Sequence, residues 1–209
     1  SMKFLKRHAY ALVFTLFLMG ANVYSLLKVF VIPSAVSTVS ANTTSSTTAS
    51  STASTSTGKV TKTDTTYKDD NMDIKITTGK TSDTTYYVAD IKLSSADYLK
   101  TALAQNTYGT NITDTTSSIA QQNNAIFAIN GDYYGANQSG YVIKNGQVYR
   151  DTDRNSDYED LAVYSDGSFK TFKESDTTAQ KLVDSGVVNT FAFGPTLVEN
   201  GKIAVSENE

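Results

Sequence analysis

Segments in which apolar and polar residues alternate predict β-strands in the middle of the chain. Within residues 86–93, one apolar face is formed by Tyr87, Ala89, Ile91 and Leu93, which alternate with the more polar Asp90 and Lys92. A period of two is typical of a half-buried strand. Residues 73–78 have the composition of a second strand. We therefore predict two strands in this region.

A short run that is apolar at every position, residues 125–129 (AIFAI), predicts a buried central strand. Asn-Gly or Asp-Gly pairs separate further short strands and predict three hairpin turns, at Asn145-Gly146, Asp166-Gly167 and Asn200-Gly201. A last strand begins near residue 187, and Gly194-Pro195 interrupts the segment that follows it.

Three segments have short helical patterns. Residues 94–105 begin with Ser94 or Ser95 as an N-cap and place apolar residues at helical spacing. Residues 115–124 are a second candidate, and Gly186 closes a third helix within residues 177–186. Hairpins with two or three short helices between them predict an α+β fold with a mainly antiparallel sheet.

The N-terminus has a different pattern. Residues 9–27 contain no charge and follow the basic group Lys3, Lys6, Arg7 and His8. About 20 apolar residues span a bilayer as a helix, and a positive flank stays in the cytoplasm, which favours an uncleaved anchor. Two alternatives remain open: a signal cleaved after Val39-Ser40-Ala41, and a buried helix of a soluble domain.

A Ser/Thr-rich segment follows the apolar one, with 16 Ser or Thr among the 21 residues 37–57. Without an apolar face it cannot offset the entropy of ordering, so we predict a disordered linker, either a stalk or a passive tether. The chain is then divided into a signal-anchor or transmembrane segment (1–33), a linker (34–66) and a globular part (67–209). We expect the globular part outside the cell, on a single-pass anchor, or secreted if the signal is cleaved.

Composition excludes several kinds of chemistry. Beyond Pro33 the chain has 14 basic and 21 acidic residues, a net charge of about −7, which disfavours binding to nucleic acid. There is no cysteine, and the single histidine, His8, precedes the apolar segment. A Ser-His-Asp triad, a Cys-His pair and a His or Cys metal site are therefore excluded from the globular part. We predict no metal and no cofactor.

The main candidate site is the polar and aromatic cluster that follows residues 125–129: Asn130, Gly131, Asp132, Tyr133 and Tyr134. The end of a rigid strand can present such groups to a cleft. Gly131 permits a positive φ angle, Asn130 and Asp132 can bind hydroxyls, and a tyrosine ring can stack on a sugar. The same residues also suit a structural turn in which Asn130 and Asp132 bond to the backbone.

Two other segments have weaker signals. Four oxygen-bearing side chains stand at alternate positions as in a calcium loop: Asp151, Asp153, Asn155 and Asp157. Ser156 and Ala162, however, replace the Gly and Glu that such a loop requires. We therefore predict a solvated acidic loop in which Arg150 and Arg154 form surface ion pairs. Residues 191–201 (FAFGPTLVENG) indicate a corner at the edge of a sheet or the lining of a site.

Four segments, in their order and spacing, resemble the phosphodiester glycosidase family: AIFAINGDYYG, GYVIKNGQVYR, EDLAVYSDGS and FAFGPTLVENGKI. The resemblance covers about residues 85–205 and implies hydrolysis of a sugar-1-phosphate diester, or of a related bond in a cell-wall or capsular polymer. It implies that Asp132 is the acid-base or sugar-binding carboxylate, normally one of a pair. The substrate-binding residues that it implies are Asn130, Gly131 and Tyr133, and secondarily Gly194 and Pro195. Tyr134 is added to this set from the aromatic character of the cluster alone.

Members of this family continue to an Asn-Pro-Arg-Thr motif and an Asp-Gly-Gly-Gly-Ser motif, and residues 1–209 contain neither. That Arg would be a natural phosphate ligand, and the glycine loop a phosphate cradle. We therefore expect these 209 residues alone to have no glycosidase activity. A second hypothesis is a non-catalytic envelope protein, a stalked module that binds wall glycan through Asp132, Tyr133 and Tyr134.

Overall fold

The computed structural model describes residues 2–30, 34–35, 59–155 and 157–205. In these ranges all strand pairs are antiparallel and three α-helices are present, so the α+β fold class is confirmed. The helices are α1 (Met2–Phe30), α2 (Thr116–Gln122) and α3 (Ala179–Asp184). The strands are β1 (Ser34–Ala35), β2 (Thr61–Lys62), β3 (Thr66–Lys68), β4 (Met72–Lys80), β5 (Thr85–Leu93), β6 (Gly109–Thr110), β7 (Val142–Lys144), β8 (Gln147–Arg150), β9 (Glu159–Tyr164), β10 (Phe169–Lys173), β11 (Val187–Phe191), β12 (Val198–Glu199) and β13 (Lys202–Ile203).

These strands form one four-stranded sheet (β2-β3-β4-β5), one three-stranded sheet (β10-β9-β11) and three two-stranded pairs (β1-β6, β7-β8 and β12-β13). All three predicted hairpin turns are confirmed, at the β7-β8, β9-β10 and β12-β13 connections. In the first, Asn145 and Gly146 have φ angles of 51° and 79°. Positive φ at both central positions is the geometry that an Asn-Gly hairpin turn requires.

The hydrophobic core lies between the three-stranded sheet, the β7-β8 hairpin and α3. The side chain of Thr178 caps α3 by accepting a hydrogen bond from the backbone N–H of Lys181. This cap fixes the start of α3, which turns Ala179 and Leu182 into the core. The buried core residues are Tyr141, Ile143, Val148, Ala162, Ala179, Leu182 and Val187.

Two buried polar side chains of β11 join it to β7. Thr190 Oγ1 accepts a hydrogen bond from the Ile143 N–H at 3.0 Å, and Asn189 Oδ1 accepts one from the Asn145 N–H at 2.9 Å. Both side chains are about 1% exposed. Buried polar groups need such partners, so these two bonds set the position of β7 against the sheet.

The predicted strands at residues 73–78 and 86–93 are confirmed as parts of β4 and β5, but the predicted half-burial of β5 is wrong. Ile74 is 5% exposed, whereas Tyr87 on the same face of the sheet is 72% exposed. The apolar pattern of β5 therefore has no cover at its Tyr87 end among the described residues.

The predicted helix at residues 94–105 is also wrong. Ser95 does accept a hydrogen bond from the Asp97 N–H, but this cap starts only a 3₁₀ turn, Ala96–Tyr98. Leu99 remains 43% exposed. A short helix is marginal without burial of an apolar face, which explains why the pattern does not continue.

Residues 125–129 do not form the predicted central strand. They are irregular, and no described strand pairs with them. Ile129 is 77% exposed and Ile126 is 45% exposed. A central strand needs neighbours on both sides for its backbone hydrogen bonds, and none is present in the described ranges.

At the N-terminus, α1 covers the uncharged residues 9–27. Among the described residues, no helix meets the length and hydropathy that a membrane crossing requires. The predicted linker residues 37–57 and the alternative cleavage site lie outside the described residues, while β1 and β2 lie inside the range 34–66. The domain boundaries therefore stay a prediction.

Candidate functional site

The two candidate motifs meet at the end of β11. Asp132 Oδ2 accepts a hydrogen bond of 2.8 Å from the backbone N–H of Ala192. Next to this bond, the ring of Tyr133 meets the ring of Phe193 edge-on, with 5.7 Å between centroids. Residues 60 positions apart are thus held together, and we call this contact region the motif junction.

Lys144, at the end of β7, is buried against residues of both motifs, Asp132 and Phe191. Its Nζ donates a hydrogen bond of 2.7 Å to the backbone oxygen of Thr190, lies 3.6 Å from Asp132 Oδ1 and lies 4.1 Å from the centre of the Phe191 ring. The side chains of Lys144 and Asp132 are each 6% exposed. Burial lowers the pKa of Lys144, and the adjacent carboxylate opposes that shift.

Sequence reasoning missed Lys144. The available signal was its position at the end of the apolar run YVIK, where a lysine interrupts an otherwise buried strand. Lysine is almost never fully buried without a partner. A lysine in such a run therefore indicates a nearby carboxylate, which here is Asp132.

Gly131 has a different role from the one predicted. It is not among the residues with positive φ. A Cβ atom at this position would lie 3.3 Å from the Phe191 ring, so the absence of a side chain permits close contact between the two motifs. Gly194 and Pro195, joined by a cis peptide bond, follow Phe193 at the same end of β11.

The other four residues of the first motif divide into three groups. Asp132 is engaged with backbone and with Lys144, as in the structural-turn alternative. Asn130 and Tyr133 are exposed to solvent. Tyr133 is 66% exposed, so its ring is accessible to a ligand. Tyr134 contacts a different neighbour, Tyr108, whose ring it stacks on with 5.0 Å between centroids. Chemically, the junction offers an amide, an aromatic ring and a held carboxylate.

The predicted surface ion pairs of Arg150 and Arg154 are wrong. Arg154 forms ion pairs with Asp160 and with Glu174, whose side chains are 0% and 3% exposed. Glu174 also accepts a hydrogen bond of 2.6 Å from each of the Arg154 and Tyr141 backbone N–H groups. Arg150 donates to backbone carbonyl oxygens. The buried carboxylates of Asp160 and Glu174 thus hold the loop after β8 against the core.

Burial, hydrogen bonding to Glu174 and the negative charge of Glu174 raise the pKa of Asp160 to about 7, against the opposing effect of Arg154. Asp160 and Glu174 share the guanidinium of Arg154, so they form a structural centre in which the Asp160 carboxyl titrates close to neutral pH.

No group of three or more potential metal-ligating side chains occurs within the described ranges. The alternating acidic residues after Arg150 therefore do not gather into a ligand cluster there. Asp153 Oδ1 instead accepts a hydrogen bond of 2.7 Å from the Asn155 N–H.

The motif junction lies in the part of the chain that is similar to known proteins. Residues 123–209 match the model of the family described as phosphodiester glycosidase. Over 99 residues, which are 46% of this chain, the chain is 31% identical to the SPbeta prophage-derived uncharacterized protein YomE of Bacillus subtilis (strain 168). The matched region spans 15% of that relative's length. No solved structure matches significantly. The resemblance to the phosphodiester glycosidase family is thus confirmed for residues 123–209.

Proposed function

We propose that these residues belong to a membrane-anchored, extracellular phosphodiester glycosidase-like protein. Its substrates would be sugar-1-phosphate diesters, or related bonds, of a cell-wall or capsular polysaccharide. The observation that carries the proposal is the hydrogen bond from Ala192 to Asp132, because it joins the two motifs inside the region that matches the family. The substrate site then lies beside the motif junction.

In this proposal Asp132 is the candidate acid-base residue, and its two contacts hold the carboxylate in one orientation. Asn130 and Tyr133 bind the sugar from the exposed side, while Gly131, Gly194 and Pro195 shape the backbone beside it. A general acid or base must reach the proton that it transfers. With its side chain 6% exposed, Asp132 acts only on a group that enters the junction next to Tyr133.

The proposed location is the outer side of a cell membrane, with α1 as the anchor. Its support is the uncharged stretch 9–27 that follows a basic group, and the exposure of apolar side chains along α1, such as Phe17 at 75%. Alkaline carbonate extraction of membranes from producing cells tests it. Retention in the membrane pellet supports an anchor, and release into the soluble fraction contradicts it.

The activity is tested with an N-acetylglucosamine-1-phosphodiester, using the 209-residue chain in detergent micelles and the same chain extended by the two absent family motifs. We expect the 209-residue chain to bind the diester without turnover and the extended protein to hydrolyse it. The Tyr133→Ala variant should bind several-fold more weakly. Tyr158→Ala is the matched control, because Tyr158 is also exposed, at 72%, and lies outside both motifs.

Asp132→Asn in the extended protein tests the chemistry itself. Loss of about 10²-fold or more in turnover is expected of a general acid or base. Activity within a few-fold of the parent, in a variant that still folds, removes Asp132 from the chemistry. It would then be a residue that positions the two motifs.

A non-catalytic module that binds wall glycan is the second candidate. The exposed aromatic pair Tyr133 and Phe193 favours it, since both rings are about two-thirds exposed and available for stacking on sugars. Equal affinity for the diester and for a phosphate-free glycan, with no turnover by the extended protein, would favour this candidate over the enzyme.

A further inference from the structure

A cavity of about 220 Å³ lies on the Tyr134 side of the first motif. Three segments form its walls: the loop that follows the motif, strand β6, and the end of β8 with the residues after it. Asp132, Tyr133 and Lys144 are not among its lining residues. The cavity is therefore separate from the motif junction, although Tyr134 directly follows Tyr133 in the chain.

Three tyrosines form the aromatic part of the cavity. Tyr108, which is 7% exposed, lies between the other two. Its ring stacks on Tyr134 with an interplanar angle of 16° and packs against Tyr149 at 40°, each with 5.0 Å between centroids. Tyr108 thereby holds its two partly exposed neighbours in fixed orientations beside the cavity.

Arg150 holds the loop wall in place. Its Nε donates a hydrogen bond of 2.6 Å to the Gly140 carbonyl, and its Nη1 donates to the carbonyls of Asn137 at 2.6 Å and Tyr134 at 3.1 Å. The wall also needs a glycine at position 135, because a Cβ atom there would lie 3.0 Å from the Gly109 carbonyl oxygen. The cavity is therefore built by specific contacts between distant parts of the chain.

The polar groups at the opening are uncommitted. In the described part of the chain, the side chains of Asn137, Gln138 and Asp151 make no hydrogen bond, and all three are exposed. They supply amide donors, amide acceptors and a carboxylate acceptor, which is the mixture that ring hydroxyls require. The cavity lining contains one cation, Arg150, and one carboxylate, Asp151, so its formal charges cancel.

We propose that this cavity is a subsite for one uncharged sugar ring of the glycan, with Tyr134 and Tyr149 as its aromatic surface and Gln138 and Asp151 as hydroxyl ligands. The assignment of a glycan rests on the proposed function. The volume is below the about 300–1,000 Å³ of pockets for drug-sized ligands, so it suits a single ring and not an oligosaccharide. The balanced charge selects a neutral ring over a phosphate group.

The test uses the 209-residue chain in detergent micelles and saturation-transfer NMR, with methyl N-acetylglucosaminide and inorganic phosphate as separate probes. We expect the glycoside to bind the parent and phosphate not to compete with it. Gln138→Ala should weaken the binding about three- to tenfold, as the loss of one hydrogen bond does. Gln121→Ala is the matched control, because Gln121 is exposed on α2, away from the cavity, and its side chain makes no hydrogen bond in the described residues.

Tyr149→Ala should weaken the binding at least tenfold. Because that change also removes a ring that packs on Tyr108, Gln138→Ala is the variant that leaves the aromatic packing intact. Parent-like binding by both variants overturns the subsite, as does competition by phosphate or the absence of any binding to the parent. Diester hydrolysis by the extended protein with parent-like sugar binding in both variants would overturn the subsite alone. Sugar binding that depends on Gln138 and Tyr149, without hydrolysis, would overturn the enzymatic proposal alone.

Discussion

Two five-residue segments lead into the two halves of the motif junction, and only one of them is a strand. Residues 187–191 (VVNTF) form β11, where Val187 is 1% exposed. Residues 125–129 (AIFAI) are irregular, and Ile129 is 77% exposed. The more continuously apolar of the two sequences is thus the one that stays outside the core.

The difference lies in their neighbours. β11 pairs with β9 on one side and receives hydrogen bonds from β7 on the other through Asn189 and Thr190. Residues 125–129 pair with no described strand. A strand gains its stability from cross-strand contacts and not from its own composition. An apolar sequence is therefore compatible with a strand, but the strand forms only where a neighbouring strand can pair with it.

The largest expected effect comes from breaking the link between the two halves at Lys144. Lys144→Met leaves the Asp132 carboxylate, 6% exposed, without its cation, which costs about 3–5 kcal/mol of unfolding free energy. Urea denaturation followed by circular dichroism measures it. Lys68→Met removes the exposed partner of Asp73 and should change stability little. Equal losses in the two variants would mean that the Lys144 pair behaves as a surface pair.

The second prediction compares an Ile→Ala substitution in the core beside β11 with one in residues 125–129. Ile143, with no exposed surface, packs in the core beside β11, so Ile143→Ala should cost about 2–5 kcal/mol. Ile129→Ala should stay within about 0.5 kcal/mol of the parent, because Ile129 is mostly in solvent. Denaturation midpoints of the two variants check the comparison. A large loss in Ile129→Ala would show that residues 125–129 are buried against a partner.

A third effect concerns Asp160 on β9, the strand that pairs with β11. Its pKa is raised in the folded state to about 7, so folding favours the protonated form. The resulting stability is complete only below the ordinary Asp pKa of 3.8 and is lost progressively as the pH rises from there to about 7. Thermal midpoints should therefore fall from pH 5 to about pH 7 and level off between pH 8 and pH 9.

Asp160→Asn should flatten that pH dependence, because the amide does not titrate. Asp73→Asn serves as the control, since Lys68 holds the pKa of the exposed Asp73 below its usual value and Asp73 does not titrate in this window. An unchanged slope in Asp160→Asn would assign the pH dependence to another group.

The smallest expected effect is at the contact between Gly131 and the ring of Phe191. Gly131→Ala places a methyl group 3.3 Å from the Phe191 ring, and we expect a loss of about 1 kcal/mol, the low end for overpacking. Gly20→Ala is the uncrowded comparison, with no atom within 4 Å of the added Cβ; because Gly20 lies inside α1 and Ala is the better helix former, we expect no loss of stability there. A Gly131→Ala variant as stable as the parent would show that the two motifs can separate without cost.

Local patterns determined the elements whose geometry is local. The Asn-Gly and Asp-Gly turns and the glycine that closes α3, Gly186, all appear where the sequence predicts them. Each depends on the φ preferences or side-chain bonds of a few consecutive residues. The burial of β5 and the helix at residues 94–105 depend on packing against residues that are distant in the sequence. Local patterns do not contain that information, so both predictions were wrong.

The candidate site divides in the same way. The sequence alone indicated the family, the polar cluster at residues 130–134 and the importance of residues 191–195, because these depend on residue types in order. Only the tertiary structure decided that Asp132 bonds Ala192, that Lys144 lies beneath both motifs and that Tyr133 and Tyr134 serve separate surfaces. These contacts join residues up to 60 positions apart, and no local preference encodes which distant group will fill a given hydrogen bond.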